Sequence, residues 1–262
     1  MKITYVLIVI VFGTLGLTVV RGAQTLAANK HKDKVASQQQ QKKGRFPTAD
    51  YDEPELTDAK KNLLRKEKQL RKNDFKIVAS DPPDWQFERV FIGEGALDFP
   101  GLPVAESTYI ILGEVTAAEA HLSENKKNVY SEFTVAVNRV FKTARSSITE
   151  GSEVTVDRIG GFVKYPNGRT LLYRISGTNM PLVGLRYIFF LTSKNNQDLS
   201  ILTAYELGST GVAPLDESPQ FEKYRGLTED VFLQNLRDSL ASIMLSSKMA
   251  VCWRPNLKVQ ID

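Results

Sequence analysis

Residues 129–141 read VYSEFTVAVNRVF, and their alternation of apolar and polar side chains indicates the fold class. Val135 and Val137 fall on one face of an extended strand, because successive side chains point to opposite faces. Val140 breaks this alternation, so we expect a β-bulge at 138–139 that returns it to the core. A long, bent strand of this kind is typical of a small barrel whose strands serve two sheets.

Further strands are predicted on both sides of this segment from period-two patterns and short apolar runs. They cover residues 108–118, 153–157, 162–165, 170–175, 185–192, 200–207 and 211–215. Residues 119–128 are predicted as a polar loop, and 166–168 (Pro-Asn-Gly) as a hairpin turn. The sequence therefore predicts a mainly β domain at 106–215, an OB-like β-barrel or small sandwich of about seven or eight strands.

Three stretches of this domain carry a resemblance to known proteins. They are 113–115 (GEV), 133–142 (FTVAVNRVFK) and 184–191 (GLRYIFFL). The pattern resembles exported bacterial β-domain proteins of uncharacterised activity. It is also similar to the OB-like barrel of the netrin-module and metalloproteinase-inhibitor group. That group's disulfide cysteines and inhibitory N-terminal cysteine are absent here, so the resemblance implies a fold and an exported location but no inhibitor function.

The N-terminal segment 1–23 is predicted to be a signal peptide or membrane anchor. Residues 3–20 are apolar and uncharged, and a helix of that length spans roughly 27 Å, close to the hydrocarbon thickness of a bilayer. Lys2 precedes the run as in a secretory signal, and cleavage before Ala23 is conceivable. More positive charge follows the run than precedes it, so an uncleaved anchor would favour a cytoplasmic body. A buried helix of a soluble domain is the remaining alternative.

A tail and a basic helix are predicted between this segment and the β domain. Residues 24–55 are poor in apolar side chains and are expected to form a flexible basic linker, able to touch an anionic surface. Residues 56–105 are predicted as a basic helix, Thr57–Leu70, followed by an irregular lead-in segment. The helix has a narrow apolar stripe formed by Leu56, Leu63, Leu64 and Leu70. It could lie on a membrane, touch nucleic acid or dock loosely on the body, which we prefer.

The lead-in segment contains Trp85, Phe87, Val90 and Phe91, which we expect to cover an edge or end of the β domain. Residues 216–262 are predicted as a C-terminal helix, Thr228–Leu245, and a tail. The helix could pack on the β domain or bind a partner.

Charge is distributed unevenly along the chain. The whole protein has a net charge of +4 and a pI near 9.0, yet residues 77–262 carry net charge −4. The basicity therefore belongs to the N-terminal quarter, which argues against a nucleic-acid-binding barrel.

The inventory of reactive side chains is small. Cys252 is the only cysteine, which excludes an internal disulfide and a Cys-type zinc site. His31 and His121 are too few for a His-rich metal centre, and His121 is expected to be exposed in the 119–128 loop. Strand carboxylates that could form an acid–base pair are Glu114, Glu132, Asp157 and Glu206; we interpret Glu132 as an outward-facing residue opposite a basic neighbour. Glycine pairs at 160–161 and 208–211 lack the context of a phosphate loop.

These observations predict no catalytic, cofactor-binding or metal-binding residue. They favour a non-catalytic exported or membrane-anchored envelope protein with a binding domain, whose partner is a protein or a polysaccharide. Localisation is expected in the periplasm or cell envelope, or as a secreted protein, and the membrane would be contacted through residues 3–20 if they are uncleaved. One alternative is an OB-type single-stranded nucleic-acid binder that stacks bases on Tyr165, Tyr173 and Tyr187. The other is a hydrolase with an unrecognised site.

Overall fold

The computed structural model of the chain describes residues 47–53, 58–73, 89–91, 98–144, 148–194 and 198–252. Contacts between residues divide the chain into two units, Met1–Arg45 and Phe46–Asp262. The first unit lies outside the described ranges, and the strands and helices below belong to the second. The predictions made for residues 1–23, for His31 and for Trp85 also lie outside the described ranges.

The described part of the chain is mainly β, as predicted, with two sheets and a C-terminal helix. Its strands are β1 (Thr48–Asp50), β2 (Arg89–Phe91), β3 (Tyr109–Leu122), β4 (Val129–Lys142), β5 (Glu153–Ile159), β6 (Gly161–Lys164), β7 (Thr170–Ile175), β8 (Arg186–Lys194), β9 (Asp198–Gly208) and β10 (Gly211–Pro214). Its helices are α1 (Ala59–Arg71), α2 (Pro219–Glu222) and α3 (Glu229–Cys252).

The larger sheet has six strands in the order β10-β9-β5-β4-β3-β8. Strand β9 also pairs with β8, so β3, β4, β5, β9 and β8 partly close into a ring. The contact between β5 and β9 is a single parallel pairing of Asp157 with Ser200, whereas the other pairings of the ring are extended antiparallel ladders. Within the ring, β5 and β9 therefore share the shortest stretch of strand pairing.

The smaller sheet has four strands in the order β1-β6-β7-β2, and two of them come from outside the predicted domain. Strand β1 falls in the stretch assigned to the linker, and β2 falls in the lead-in segment. Strand β2 pairs with β7 at the end of the strand order, so residues 89–91 form an edge strand of the smaller sheet; Phe87 of the lead-in segment lies outside the described residues. Gly160 and Gly161 join β5 to β6 with φ of 115° and 144°, values that favour glycine and let the chain pass between sheets.

The β3–β4 hairpin confirms the predicted bulge. Leu112 pairs with Arg139 and Gly113 with Val137, so Asn138 is skipped in the register. Val137 is buried and Val140 packs against the same core cluster, which is the outcome that the bulge was invoked to explain.

Two apolar clusters lie on opposite faces of the ring strands, because alternate residues of a strand point to opposite sides. Ile111 and Phe189 belong to one cluster. Ile110 and Ile188, their neighbours along the chain, belong to the other. Strand β3 is therefore buried on both faces at its start, as its apolar run predicts.

Helix α3 packs over the second of these clusters and covers the predicted face only in part. Phe232 and Leu236 are fully buried there, and the Phe232 ring lies 4.7 Å from that of Tyr205. Ile243 and Met244, which the helical spacing predicted to be packed as well, are exposed. Helix α3 extends past the predicted end at Leu245 to Cys252.

One further boundary differs from the prediction. The loop expected at 119–128 is shorter, because β3 continues to Leu122. Among the described residues, no helix combines the length and apolar character needed to cross a membrane.

Candidate binding site along helix α1

Helix α1 begins with a side-chain cap and carries most of the basic charge of its segment. The Asp58 carboxylate accepts hydrogen bonds from the backbone N–H groups of Lys60 and Lys61, at 3.0 and 3.2 Å. Asp58 therefore satisfies two of the free donors at the helix start. The helix was predicted to begin at Thr57, which lies outside the described residues.

The orientation of α1 reverses that of an ordinary surface helix. Leu63, Leu64 and Leu70 are exposed by 59%, 56% and 59%, while Lys68 and Lys72 face the sheet. No residue within α1 itself is buried. The predicted docking on the body is correct, but charged side chains make the contact and the apolar stripe does not.

An ionic clasp, which we define as Lys68, Arg71 and Lys72 with their carboxylate partners, fixes the C-terminal half of α1. The Lys72 ammonium donates to Asp157 Oδ2 at 2.9 Å, and both side chains are almost fully buried. Lys68 Nζ lies 2.5 Å from Glu132 Oε1 and 3.2 Å from Asp157 Oδ2.

Strand β9 supplies the third carboxylate of the clasp. Arg71 donates two hydrogen bonds to Asp198, both at 3.0 Å, in the bidentate geometry that favours arginine. Backbone contacts seat the same end of the helix, since the Asn128 amide donates to the Lys72 carbonyl at 2.9 Å.

The charges of the clasp shift one another's titration. Burial alone would lower the pKa of Lys68, but the nearby Asp157 and Glu132 outweigh it and raise that pKa above its usual value. Burial likewise opposes ionisation of Asp198, yet its hydrogen bonds from Arg71 and the lysine charges hold its pKa below the usual value. The ion pairs of the clasp thus favour the charged forms of Lys68 and Asp198.

The register of the sheet brings together two of the four carboxylates that the sequence identified. Glu132 on β4 pairs directly with Asp157 on β5, and Lys68 bridges them. Glu132 has a basic neighbour, Lys68 of α1, but the prediction of an outward-facing residue is only partly correct: α1 partly covers Glu132, and the strand residues paired with it, Glu119 and Asp157, are acidic. Glu114 is exposed on β3, opposite Arg186. Glu206 is half-buried on β9 in a separate hollow of about 220 Å³.

His121 is buried, contrary to the exposed position expected from the sequence. It lies within β3 with 4% exposure, because β3 is longer than predicted. Its Nδ1 atom lies 3.6 Å from Glu53 Oε2, and its Nε2 atom lies 3.7 Å from Glu132 Oε2 and 3.8 Å from Glu119 Oε2. Nδ1 has no hydrogen-bond partner among the described residues.

Glu53 links this histidine to the middle of α1. Its Oε1 atom accepts a hydrogen bond from Arg65 at 2.6 Å. Burial raises the pKa of Glu53, but His121 and Arg65 outweigh that effect and lower it below the usual value. Helix α1 is thus held by ion pairs at its middle and at its C-terminal end. Within the described ranges, no group of three or more His, Cys, Asp or Glu side chains is arranged to hold a metal ion.

Two hollows flank α1. The larger, which we call the α1 groove, has a volume of about 540 Å³ and runs between the helix and the β3–β4 turn. Its apolar wall includes Tyr51, Leu70 and Leu122. Its charged residues are Glu53, Arg65, Lys66, Glu67, Glu124 and Lys126. The Lys126 ammonium lies 4.4 Å from the centre of the Tyr51 ring, a cation–π contact at the rim.

The smaller hollow, of about 260 Å³, lies on the other side of the helix, where His121, Tyr130 and Glu132 line it. Burial is the largest cause that raises the pKa of the Tyr130 hydroxyl well above its usual range. Tyr130 therefore stays neutral at physiological pH.

The tyrosines proposed for base stacking are not at the surface. Tyr165, Tyr173 and Tyr187 are 5%, 3% and 2% exposed. The Tyr165 and Tyr173 hydroxyls are hydrogen-bonded to each other, and Tyr187 accepts a hydrogen bond from the Leu182 N–H group at 3.1 Å. These three rings serve the core, so they offer no stacking platform.

A buried ion pair away from α1 was not identified from the sequence. Arg158 on β5 donates to Asp216 Oδ1 at 2.5 Å, and the side chains are 6% and 0% exposed. The pair joins β5 to the chain that follows β10 and is best understood as structural. Nothing in the sequence pattern separates either residue from an ordinary surface charge.

Comparison with known proteins found no match to a family model, a curated protein or a solved structure. The function is therefore argued from the geometry of the site.

Proposed function

We propose that the chain is a non-catalytic envelope protein, exported or membrane-anchored, whose β domain binds a partner along helix α1. The α1 groove is the observation that carries this proposal. It is the size of an ordinary ligand pocket, and it combines Tyr51 and Leu70 with charged groups of both signs.

The charge balance of the α1 groove favours a partner without a large net charge. Three cationic side chains line it (Arg65, Lys66, Lys126), and three anionic ones do (Glu53, Glu67, Glu124). For a polyanion such as nucleic acid, repulsion by the three carboxylates would cancel the binding energy gained from the three cations. A neutral polysaccharide or a peptide segment meets no such penalty, which supports the partner classes expected from the sequence.

The contacts of Glu132 and Asp157 support a binding role over hydrolysis. A pair of acid–base carboxylates must flank the bond of a substrate that is to be cleaved. Glu132 and Asp157 instead share the ammonium of Lys68 at 2.5 and 3.2 Å. The Lys68 ammonium therefore occupies the place between the two carboxylates that a substrate would need.

For the fold itself we propose the OB-like barrel. The partial ring of β3, β4, β5, β9 and β8 supports it, as do the register shifts in the long β3–β4 hairpin. This interpretation agrees with the resemblance to the netrin-module and metalloproteinase-inhibitor group, from which only the fold is taken.

Photo-crosslinking in intact cells tests the binding role. A photoreactive amino acid replaces Glu124, which lines the groove, and in a matched control it replaces Ser209, exposed in the β9–β10 turn. We expect one or a few discrete adducts from Glu124 and none from Ser209. Absence of adducts at Glu124 would contradict binding in the groove. Turnover of a defined substrate that Glu132→Gln abolishes would contradict the non-catalytic role.

A further inference from the structure

The outward face of α1 presents the leucines that a soluble helix would ordinarily bury. Leu63, Leu64 and Leu70 each expose more than half of their surface, and Leu70 stands at the boundary between this face and the α1 groove. Amphipathic helices of globular proteins turn such residues toward the core. Here the inward face is occupied by the ionic clasp, so the apolar face is left on the outside. Exposed apolar surface rimmed by charge marks an interaction site.

We propose that this leucine face docks on an anionic lipid surface. This inference rests on the proposed function, because it assumes that the protein works at an envelope membrane. The docking would lay α1 parallel to the bilayer, with the leucines among the acyl-chain ends.

The charges around the leucines fit that occupant. Lys60 precedes Leu63 and Leu64 by one helical turn, and Lys66 lies three residues after Leu63; both lysines are exposed. Lysines at this depth lie level with the lipid head groups, where an anionic surface attracts them. Glu67 is exposed on the same face and opposes the attraction in part, so the contact depends on the leucines as well as on charge.

The size of the face argues for lipid over a protein partner or a second copy. Three half-exposed leucines present on the order of 300 Å² of apolar surface, whereas the apolar part of a standard protein interface is about 450 Å² per partner. A lipid contact of that size is weak by itself, and stable membrane attachment takes two signals. The sequence predicts the other signal at residues 3–20, so α1 needs only modest affinity.

Fluorescence quenching of the full chain tests this inference. In a Cys252→Ser background, an environment-sensitive dye is attached through Glu67→Cys, between Leu63 and Leu70. In the control it is attached through Ser209→Cys. The protein is mixed with vesicles of phosphatidylcholine and phosphatidylglycerol that contain lipid with a nitroxide on its acyl chain.

We expect the nitroxide to reduce emission at the Glu67→Cys site by about half or more, and to leave the Ser209→Cys site unchanged. Adding Leu63→Ser and Leu64→Ser, which leave the groove residue Leu70 in place, should abolish the quenching, with the circular dichroism spectrum retained because these residues are exposed. The matched variant Met244→Ser/Leu245→Ser removes two equally exposed apolar residues of α3 and should quench like the parent.

Vesicle flotation distinguishes failure of the α1 lipid contact from failure of the membrane tether. If the protein floats with vesicles and the Glu67→Cys site is not quenched, the lipid contact of α1 is refuted while the envelope tether stands. If the protein does not float at all, the membrane tether of the proposed function fails as well. Energy transfer between dyes on two copies without lipid would assign the face to a second copy and overturn the inference.

Discussion

Replacing Asp157 by Asn tests whether the ionic clasp holds α1 to the sheet. Asp157 is 2% exposed, and three groups depend on it: Lys72 Nζ at 2.9 Å, Lys68 Nζ at 3.2 Å and Ser200 Oγ at 2.8 Å. Asn preserves the shape and can still accept from Ser200, but it removes the charge that neutralises Lys72.

The structure sets the size of the effect. Leaving a buried charge without its counter-ion costs about 3–5 kcal/mol. Helix α1 can avoid that cost by leaving the sheet, since it buries no residue of its own and its leucines are already exposed. When α1 leaves the sheet, its remaining part-exposed ion pairs are broken, and each of them contributes about 1 kcal/mol. We therefore expect the free energy of unfolding to fall by about 2–3 kcal/mol, less than the full cost of a trapped charge.

Hydrogen–deuterium exchange with peptide resolution is the assay. In Asp157→Asn, amides of α1 should lose protection while those of β4 and β8 keep it. The double variant Asp157→Asn/Lys72→Met removes both charges and should restore part of the α1 protection. Unchanged exchange in α1 would refute the reasoning, and so would a loss of protection in β4 as large as that in α1.

Three further outcomes are expected. Acid should release α1 before the β domain unfolds, because the pKa values of Glu53 and Asp198 are lowered in the folded chain. The stabilisation from these two carboxylates is full above their unfolded-chain pKa values near ~4 and is lost as the pH falls through the lower folded-state values. Hydrogen–deuterium exchange measured against pH checks this, and loss of protection in α1 and β4 at the same pH would contradict it. Gly160→Ala should lower the free energy of unfolding by at least about 2 kcal/mol in chemical denaturation, since φ is 115° and a Cβ would lie 2.7 Å from the Tyr173 carbonyl oxygen; an unchanged midpoint would refute that geometry. Tyr205→Phe should cost about 1–2 kcal/mol, because its buried hydroxyl donates to the Gly101 carbonyl, and a thermal midpoint equal to wild type would show that this bond contributes nothing.

Local pattern was enough to predict most of the β domain. The alternation around Phe133 to Val137 predicted a strand with one buried face, and the break at Val140 predicted the bulge now seen at Asn138. Both are properties of consecutive residues, so they can be read without knowing the neighbours of the strand.

The site depends on contacts that local pattern does not encode. Glu132 and Asp157 meet because β4 and β5 pair in one register, and a shift of one residue would move Asp157 to the other face. His121 belongs to a polar stretch that is buried beneath α1, a segment about 50 positions earlier in the chain. The stripe of leucines in α1 did not reveal which side of the helix meets the sheet, because hydrophobic periodicity identifies a face without saying what covers it.

The central claim, that this is an envelope protein, is tested most directly by the N-terminal residue and the cell fraction of the mature protein. We predict either a chain with Met1 intact in the membrane fraction or a chain that starts near Ala23 in the exported fraction. Recovery of the intact chain, with Met1, in the soluble cytoplasmic fraction would contradict the claim.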